Sequence, residues 1–233
     1  MPKPQFRKAD SNGGHRSRLR ERFLAVGLDG FSDHEILEFF LTLVIPRKDV
    51  KPQAKALLAK FQTLRGILDA PVEKLTEVKG VGKTTAFQLR FLHAFIERIL
   101  KDRARETGSV LSNPQAVREF LQVGMAGLRN EEIQVLFLDA KNTIIDSEKL
   151  EMGTVDQAAV YPRKVIQRAL HHNAVGFILV HNHPSGNPTP SEEDKDLTRA
   201  VAAAARTMGM SLHDHIVIGK DREFSFREQG LLS

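Results

Sequence analysis

The 233-residue sequence contains no cysteine. This absence excludes disulfide-stapled scaffolds, zinc fingers with thiolate ligands, iron–sulfur ligation and cysteine nucleophiles for this chain. Long apolar runs are missing as well, because the longest run, residues 36–45, is interrupted by Glu38 and Thr42. Such a run is far shorter than the roughly 20 residues of a membrane-spanning helix. No apolar stretch follows the basic N-terminus, so no secretory signal is visible, and we expect a cytoplasmic protein without membrane contact.

Charge is distributed unevenly along the chain. Residues 1–107 hold 21 Lys and Arg against 13 Asp and Glu, a balance of +8, whereas residues 108–233 hold 13 against 16, a balance of −3. This asymmetry indicates two modules with different partners, and the basic module suits an anion or a nucleic acid. A solvated basic surface explains the same numbers, so charge alone leaves both interpretations open.

The first half of the chain has the residue spacing of an all-α domain. The polar, turn-rich residues 1–14 predict a flexible arm, and a helix is predicted from His15 onward. Ser32 followed three residues later by Glu35 is typical of a capped helix start. The helical domain is predicted to cover residues 15–102, and its further helical patterns lie at 36–43, 52–61, 64–68, 72–78 and 84–102.

The second half, residues 110–233, has the pattern of an α/β domain, which makes the chain α+β as a whole. Strand patterns are interspersed with two helical ones, and the apolar strand at 177–181 is predicted to be central in the sheet. The predicted strands are 134–138, 144–145, 177–181 and 212–218, and the predicted helices are 162–172 and 191–208.

Two histidines near the end of the central strand are candidate metal ligands. His181 and His183 are two residues apart, so their side chains point to the same face of the strand. Ser191 is placed to cap the next helix, and Asp194 is at its third position, where its carboxylate faces back toward the strand end. Two imidazoles and a carboxylate suit zinc with a fourth position open for water. The alternative is a pair of buried, hydrogen-bonded histidines and an aspartate that favours the helix N-terminus.

The segment from His181 to Asp194 resembles the JAMM (MPN+) metalloprotease motif. Its first eleven residues, His-Asn-His-Pro-Ser-Gly-Asn-Pro-Thr-Pro-Ser, are similar to sequences of the RadC family in particular. The resemblance extends over nearly the whole chain beyond the predicted arm. Its further pieces are Gly30-Phe31-Ser32-Asp33-His34-Glu35, Ile45-Pro46-Arg47-Lys48-Asp49-Val50, Phe137-Leu138-Asp139, Lys141-Asn142, Gly153-Thr154, Tyr161-Pro162-Arg163 and Asp214-His215-Ile216-Val217-Ile218-Gly219.

The resemblance implies a JAMM (MPN+), cytidine-deaminase-like fold for the second domain and a role for each residue of its motif. His181, His183 and Asp194 would be the ligands of Zn2+. Ser191 would donate a hydrogen bond to the oxyanion that develops during hydrolysis.

A general base is also implied, and two adjacent glutamates are candidates. Glu131 and Glu132 begin an early strand, where alternation lets only one of them face the metal. The spacing of RadC-like sequences, eight residues before Asp139, selects Glu131. Either glutamate could instead be a solvated carboxylate at a strand start.

Two other histidines, His213 and His215, belong to the last predicted strand. Alternation places both on one face of that strand. We expect them to lie near the site or to fill the sheet, and not to be metal ligands.

A hairpin in the basic half, residues 75–86, resembles a helix-hairpin-helix. Glycines in such a hairpin let backbone N–H groups approach a phosphate at the start of the next helix. The candidate DNA-binding residues are Lys79, Gly80, Val81, Gly82 and Lys83. No aromatic residue is expected near this hairpin, so base-specific recognition is not predicted. A structural helix corner or a protein-binding hairpin is the alternative.

The sequence therefore predicts an enzyme, a zinc-dependent hydrolase of JAMM type and most simply a metallopeptidase. It would be linked to DNA repair or recombination through duplex or branched DNA bound by residues 15–102, and its peptide or protein substrate is not identified. One alternative is a non-catalytic DNA-binding accessory protein with a structural zinc. Another is a metal-dependent nuclease that combines both modules.

Overall fold

The computed structural model describes residues 11–46, 48–106, 108–150 and 162–232. They form two compact units, one ending at Ala94 and the other beginning at Phe95. The first unit is helical and the second contains a five-stranded mixed sheet with helices, which confirms the predicted α+β class. No helix in the described part of the chain is long and apolar enough to cross a membrane.

Some sequence predictions fall on residues outside the described ranges. These are the first ten residues of the predicted arm, Arg47 of the motif piece at 45–50, and the motif pieces Gly153-Thr154 and Tyr161. The remaining arm residues, 11–14, belong to a helix that begins at Ser11. The predicted start at His15 is therefore four residues too late, because Ser11, Asn12, Gly13 and Gly14 were interpreted as part of a turn-rich arm although they join the helix.

The first unit packs its helices around a single apolar core. Leu41, Leu57 and Leu75 are fully buried in this core. The predicted capping box is present, since the Ser32 N–H donates to Glu35 Oε2 at 2.9 Å. The helices are α1 (Ser11–Val26), α2 (Asp33–Val44), α3 (Lys51–Phe61), α4 (Leu64–Asp69), α5 (Val72–Thr76) and α6 (Lys83–Glu106), the last of which continues into the second unit.

The second unit contains five strands, β1 (Ile133–Leu138), β2 (Ile144–Leu150), β3 (Gly176–Asn182), β4 (Ser211–Ile218) and β5 (Glu223–Ser225), which form one sheet in the order β2-β1-β3-β4-β5. β3 is central and buried along its whole length, as predicted. It pairs antiparallel with β1 and parallel with β4. Parallel neighbours need a crossover connection, and here the chain runs from the C-terminal end of β3 through a helix to the start of β4. The helices of this unit are α7 (Pro114–Met125), α8 (Pro162–His171) and α9 (Glu192–Thr207), in addition to the end of α6.

Helices cover both faces of this sheet. Val165 of α8 and Val201 of α9 pack against one face, and Phe120 and Leu121 of α7 pack against the other. Because both faces are covered, the inner strands are apolar on both sides, which explains the continuous apolar run of β3. Neither α7 nor β5 was predicted from the sequence.

A register shift in the β3–β4 pair changes the position of one histidine. Phe177 pairs with Leu212, but the next residue, Ile178, pairs with Asp214. The extra residue, His213, packs closely against Gly176. A Cβ added to Gly176 would be 2.5 Å from His213 Nε2. The prediction that His213 and His215 share a strand face is therefore wrong, because a bulge breaks the alternation.

Candidate metal centre

The two candidate ligand histidines lie at the C-terminal end of β3. His181 is fully buried in the strand, and His183, one residue beyond its end, is partly exposed. Their Nε2 atoms are 3.0 Å apart, so the alternation predicted from the sequence does bring both rings to one point. The His183 N–H donates to the Ile218 carbonyl, which continues the β3–β4 pairing past the strand end and fixes this backbone.

Asp194 reaches the same point from the first turn of α9. Ser191 caps this helix, as predicted: its hydroxyl accepts from the Asp194 N–H, while its own N–H and Oγ both donate to Asp194 Oδ2 at 2.7 Å. Asp194 Oδ1 is 3.2 Å from His181 Nε2, and Oδ2, which accepts from Ser191, is 3.5 Å from His183 Nε2, so each carboxylate oxygen faces one histidine. The Ser191 hydroxyl proton thus points at Asp194 in this structure.

Four side chains converge at this place. The ligand atoms of Glu131, His181, His183 and Asp194 all lie within 4.8 Å of one another. The arrangement therefore brings together the three residues that the sequence analysis named for the metal and one of its two candidates for the general base. Three of these residues come from the segment that contains β3 and α9, and Glu131 lies two residues before β1, whose first residue, Ile133, pairs with His181.

The chemistry of these atoms suits a cation. His183 Nδ1 is 2.8 Å from the Asn187 carbonyl, which can only accept, so Nδ1 carries the proton and Nε2 presents a lone pair. Burial by itself raises the pKa of the Asp194 carboxyl, but the adjacent His181 ring and the hydrogen bonds from Ser191 outweigh burial and hold that pKa well below its ordinary value. A carboxylate and imidazole lone pairs meet here, and this donor set fits a divalent metal with nitrogen and oxygen ligands.

Glu131 is held in place by a buried asparagine. The Asn182 side chain donates to the Asn130 carbonyl at 3.0 Å and accepts from the Glu132 N–H at 2.9 Å, so it spans the backbone on both sides of Glu131. Asn182 is only 1% exposed. The Glu131 side chain itself is in the exposed part of the site, as a group that meets a substrate must be.

The neighbouring glutamate has a different partner. The Glu132 carboxylate is 2.8 Å from Lys149 Nζ on the adjacent strand β2. Of the two candidates for the general base, only Glu131 belongs to the cluster.

His215 lies behind His181. Its Nε2 is 2.8 Å from His181 Nδ1, and its Nδ1 is 2.6 Å from the Thr198 hydroxyl of α9. Burial lowers the pKa of His215 well below the usual value, and the nearby His181 acts in the same direction, so this ring is neutral. His215 is outside the four-residue cluster, and nothing in the local sequence pattern indicated its contact with Thr198.

The glycine hairpin lies in the other unit, between α5 and α6. Gly80 has a φ of +86°, a conformation that L side chains rarely adopt, and Val81 is buried beneath the turn. Lys79 and Lys83 are exposed on either side of it. The sequence-based statement that aromatics are absent here is wrong: Phe87, one helical turn beyond Lys83, is 64% exposed. A helical spacing of four residues predicts a shared face, but exposure of that face depends on packing.

Comparisons with known proteins agree with this geometry. Residues 111–231 match the family described as RadC-like JAB domain, and residues 14–87 match the family described as UPF0758 N-terminal. A UPF0758 protein of Ruegeria pomeroyi is 46% identical over 218 residues, which cover 94% of this chain and 97% of that protein. A UPF0758 protein of Rhodobacter capsulatus is 47% identical over 214 residues, which cover 92% of this chain and all of that protein.

The matched domain and the side-chain cluster both support a metal-dependent chemistry. A JAB domain supports a metal-dependent hydrolase of JAMM type, and the cluster supplies residues for a metal ion. Both matched regions together leave only short segments of the chain uncovered. The chain belongs to the RadC-like UPF0758 family.

Proposed function

We propose that this chain is a zinc-dependent metallopeptidase that hydrolyses a peptide or isopeptide bond. The observation that carries the proposal is the convergence of Glu131 with His181, His183 and Asp194 within 4.8 Å. Two histidines and a carboxylate are the ligand set of several catalytic zinc sites, which keep one position open. An exposed second carboxylate beside that position is what a general base requires.

His181, His183 and Asp194 would hold the zinc ion. When bound, zinc would polarise the scissile carbonyl and make water more acidic. The three donor atoms are fixed before any metal arrives, since His183 is tied to the Asn187 carbonyl and Asp194 to the Ser191 cap. A site of this kind needs little reorganisation to bind its ion.

Glu131 would move the proton during hydrolysis. It takes a proton from the attacking water as the water oxygen bonds to the carbonyl carbon, and it delivers that proton to the nitrogen as the C–N bond breaks. Ser191 would donate to the developing oxyanion by turning its hydroxyl away from Asp194 Oδ2. In that state its oxygen can still accept from the Asp194 N–H, and its N–H still donates to Asp194 Oδ2 and holds this carboxylate.

Metal content and chelator-sensitive cleavage test this proposal directly. We expect one zinc per chain by elemental mass spectrometry and loss of that zinc in Asp194→Ala. Asp196→Ala is the matched control, because Asp196 is exposed on the same helix and pairs with Arg199. We expect the wild-type protein to cleave a random fluorogenic peptide library only when zinc is present.

Three results would contradict the proposal that this chain is a metallopeptidase. They are a protein without zinc after reconstitution, zinc that persists in Asp194→Ala, and chelator-sensitive nicking of a supercoiled plasmid in place of peptide cleavage. The last result would favour the metal-dependent nuclease.

We further propose that the first unit binds DNA through its glycine hairpin, which would link the hydrolase to DNA repair or recombination. The supporting observation is that Lys79 and Lys83 are exposed on both sides of a glycine turn that leads into α6. Exposed backbone N–H groups at a helix start attract phosphate, and the lysines add attraction that is independent of sequence.

Salt-dependent binding of a labelled duplex by fluorescence anisotropy tests the DNA proposal. Replacing Lys79 and Lys83 together by alanine is expected to weaken binding and to reduce the slope of log K against log salt by about 2, because each phosphate contact contributes roughly 0.9. A double variant of Lys141 and Arg206, exposed in the second unit, removes the same charge as a control. Equal effects of both double variants would show that net charge alone, and not the hairpin, attracts DNA.

A further inference from the structure

A continuous chain of hydrogen bonds lies behind the candidate metal ligands. It begins at His181 Nδ1, passes through both ring nitrogens of His215 and the Thr198 hydroxyl, and ends at the Asp194 backbone carbonyl. The three distances are 2.8, 2.6 and 2.6 Å. The chain therefore starts on one candidate ligand and ends on another, across three different elements, β3, β4 and α9.

The last acceptor sets the direction of every bond in this chain. The Asp194 carbonyl can only accept, so the Thr198 hydroxyl donates to it and its oxygen accepts from His215 Nδ1. His215 is fully buried against the Phe226 ring, where a charged imidazole would be costly, so its Nε2 presents a lone pair that accepts from His181 Nδ1. With its proton on Nδ1, His181 would present the lone pair of Nε2 to a metal ion held together with Asp194 and His183.

We propose that His215 and Thr198 are positioning residues, which hold His181 in the tautomer and orientation that a metal ion requires. This inference rests on the metal site of the proposed function. Ligand histidines generally use their second nitrogen to donate to an acceptor that fixes the ring. Here the acceptor is a second histidine whose own orientation is set by the helix that carries Asp194.

Packing keeps the His215 ring from turning. His215 is fully buried, and the Phe226 ring stacks on it with centroids 4.8 Å apart and an interplanar angle of 14°. Phe226 is itself only 1% exposed. A neutral imidazole can accept and donate at this depth, whereas a carboxylate in the same place would bring a charge into the sheet at high cost.

A neutral acceptor also affects the charge of the site. Where a carboxylate accepts from a ligand histidine, its negative charge adds to that of the ligands. With His215 as the acceptor, Asp194 supplies the only formal charge of the proposed ligand set. Less of the positive charge of a bound ion is then neutralised by its ligands, which favours polarisation of a carbonyl.

The Thr198→Val variant tests the chain of hydrogen bonds, because valine keeps the shape of threonine but can neither accept nor donate. We expect zinc affinity, measured by competition with a chromogenic chelator, to fall by about 10- to 100-fold, the usual effect of losing a partner of a ligand. In the metal-free wild type, we expect the imidazole 15N shifts of His181, assigned with a His181→Asn variant, to report a proton on Nδ1. In Thr198→Val they should report a mixture of tautomers.

Two further variants separate positioning from simple structural support. Thr198→Ser restores the hydroxyl and is expected to recover both zinc affinity and the 15N shifts. Thr207→Val removes a hydroxyl that makes the same bond on the same helix, from Thr207 to the Ala203 carbonyl, and it should leave both unchanged.

The inference is overturned if the wild type carries the His181 proton on Nε2. Unchanged shifts and unchanged zinc affinity in Thr198→Val would also overturn it. The tautomer is measured without metal and without substrate, so this failure is distinct from a failure of the proposed hydrolase, which would appear as missing zinc or missing cleavage in the wild type.

Discussion

Replacing Glu131 by glutamine is expected to lower the rate of peptide hydrolysis by about 10²- to 10⁴-fold, the range that a positioned general base contributes. Glutamine has nearly the same shape as glutamate but cannot take a proton from water. Zinc content should be unchanged, because His181, His183 and Asp194 remain. The measurement is kcat on the fluorogenic peptide library, with elemental mass spectrometry on the same samples.

Glu132→Gln is the matched control for this change. Its carboxylate pairs with Lys149, at 2.8 Å on the neighbouring strand, and lies outside the cluster. We expect Glu132→Gln to retain most of the activity. Equal rates for Glu131→Gln and the wild type, or a loss confined to Glu132→Gln, would assign the general base to another group.

Replacing Asn182 by leucine is expected to damage both stability and activity. The change leaves the Asn130 carbonyl and the Glu132 N–H without their partner, and because both bonds are only part-buried, each loss costs about 0.5–1.5 kcal/mol, the net value of a typical hydrogen bond. The segment that carries Glu131 would then shift. A displacement of about 1 Å at a reacting group can cost roughly 10²-fold in rate.

Thermal unfolding and kcat of the zinc-loaded protein measure the two effects of Asn182→Leu. Asn182→Asp keeps an acceptor for the Glu132 N–H and removes the donor to Asn130, so it shows which of the two bonds matters more. Zinc content is expected to stay near one per chain in both variants. If Asn182→Leu loses its zinc, the amide supports the ligands and not Glu131.

The ligand set could be predicted from the sequence because what determines it is local. Strand alternation alone places His181 and His183 together, and the offset of three residues between Ser191 and Asp194 is that of a helix cap and its third residue. Neither inference needs knowledge of distant parts of the chain.

The general base could not be chosen in the same way. Glu131 and Glu132 are adjacent, and alternation says only that they face opposite sides. The pairing of Ile133 with His181 between β1 and β3 decides which one lies at the site, and this register is a property of the folded sheet. Family resemblance selected Glu131 because the resemblance carries that long-range information.

Other features depended on packing that the sequence did not reveal. No residue around His213 marks the register shift that separates it from His215. The exposed position of Phe87 depends on what packs beside α6. By contrast, α7 had a visible start, because Asn113 caps it and Pro114 is its first residue, a common helix-start pattern.

The compact spacing of the proposed ligands has a consequence for protein engineering. His181, His183 and Asp194 occupy a single strand–loop–helix segment, whereas Glu131 enters from β1 and His215 from β4. A graft of residues 176–207 onto another parallel sheet with a covering helix would carry a whole set of metal donors with it. Such a graft would bind an ion but would not catalyse hydrolysis. For activity, the host would also need a carboxylate general base beside one neighbouring strand and a buried acceptor for His181 on the other.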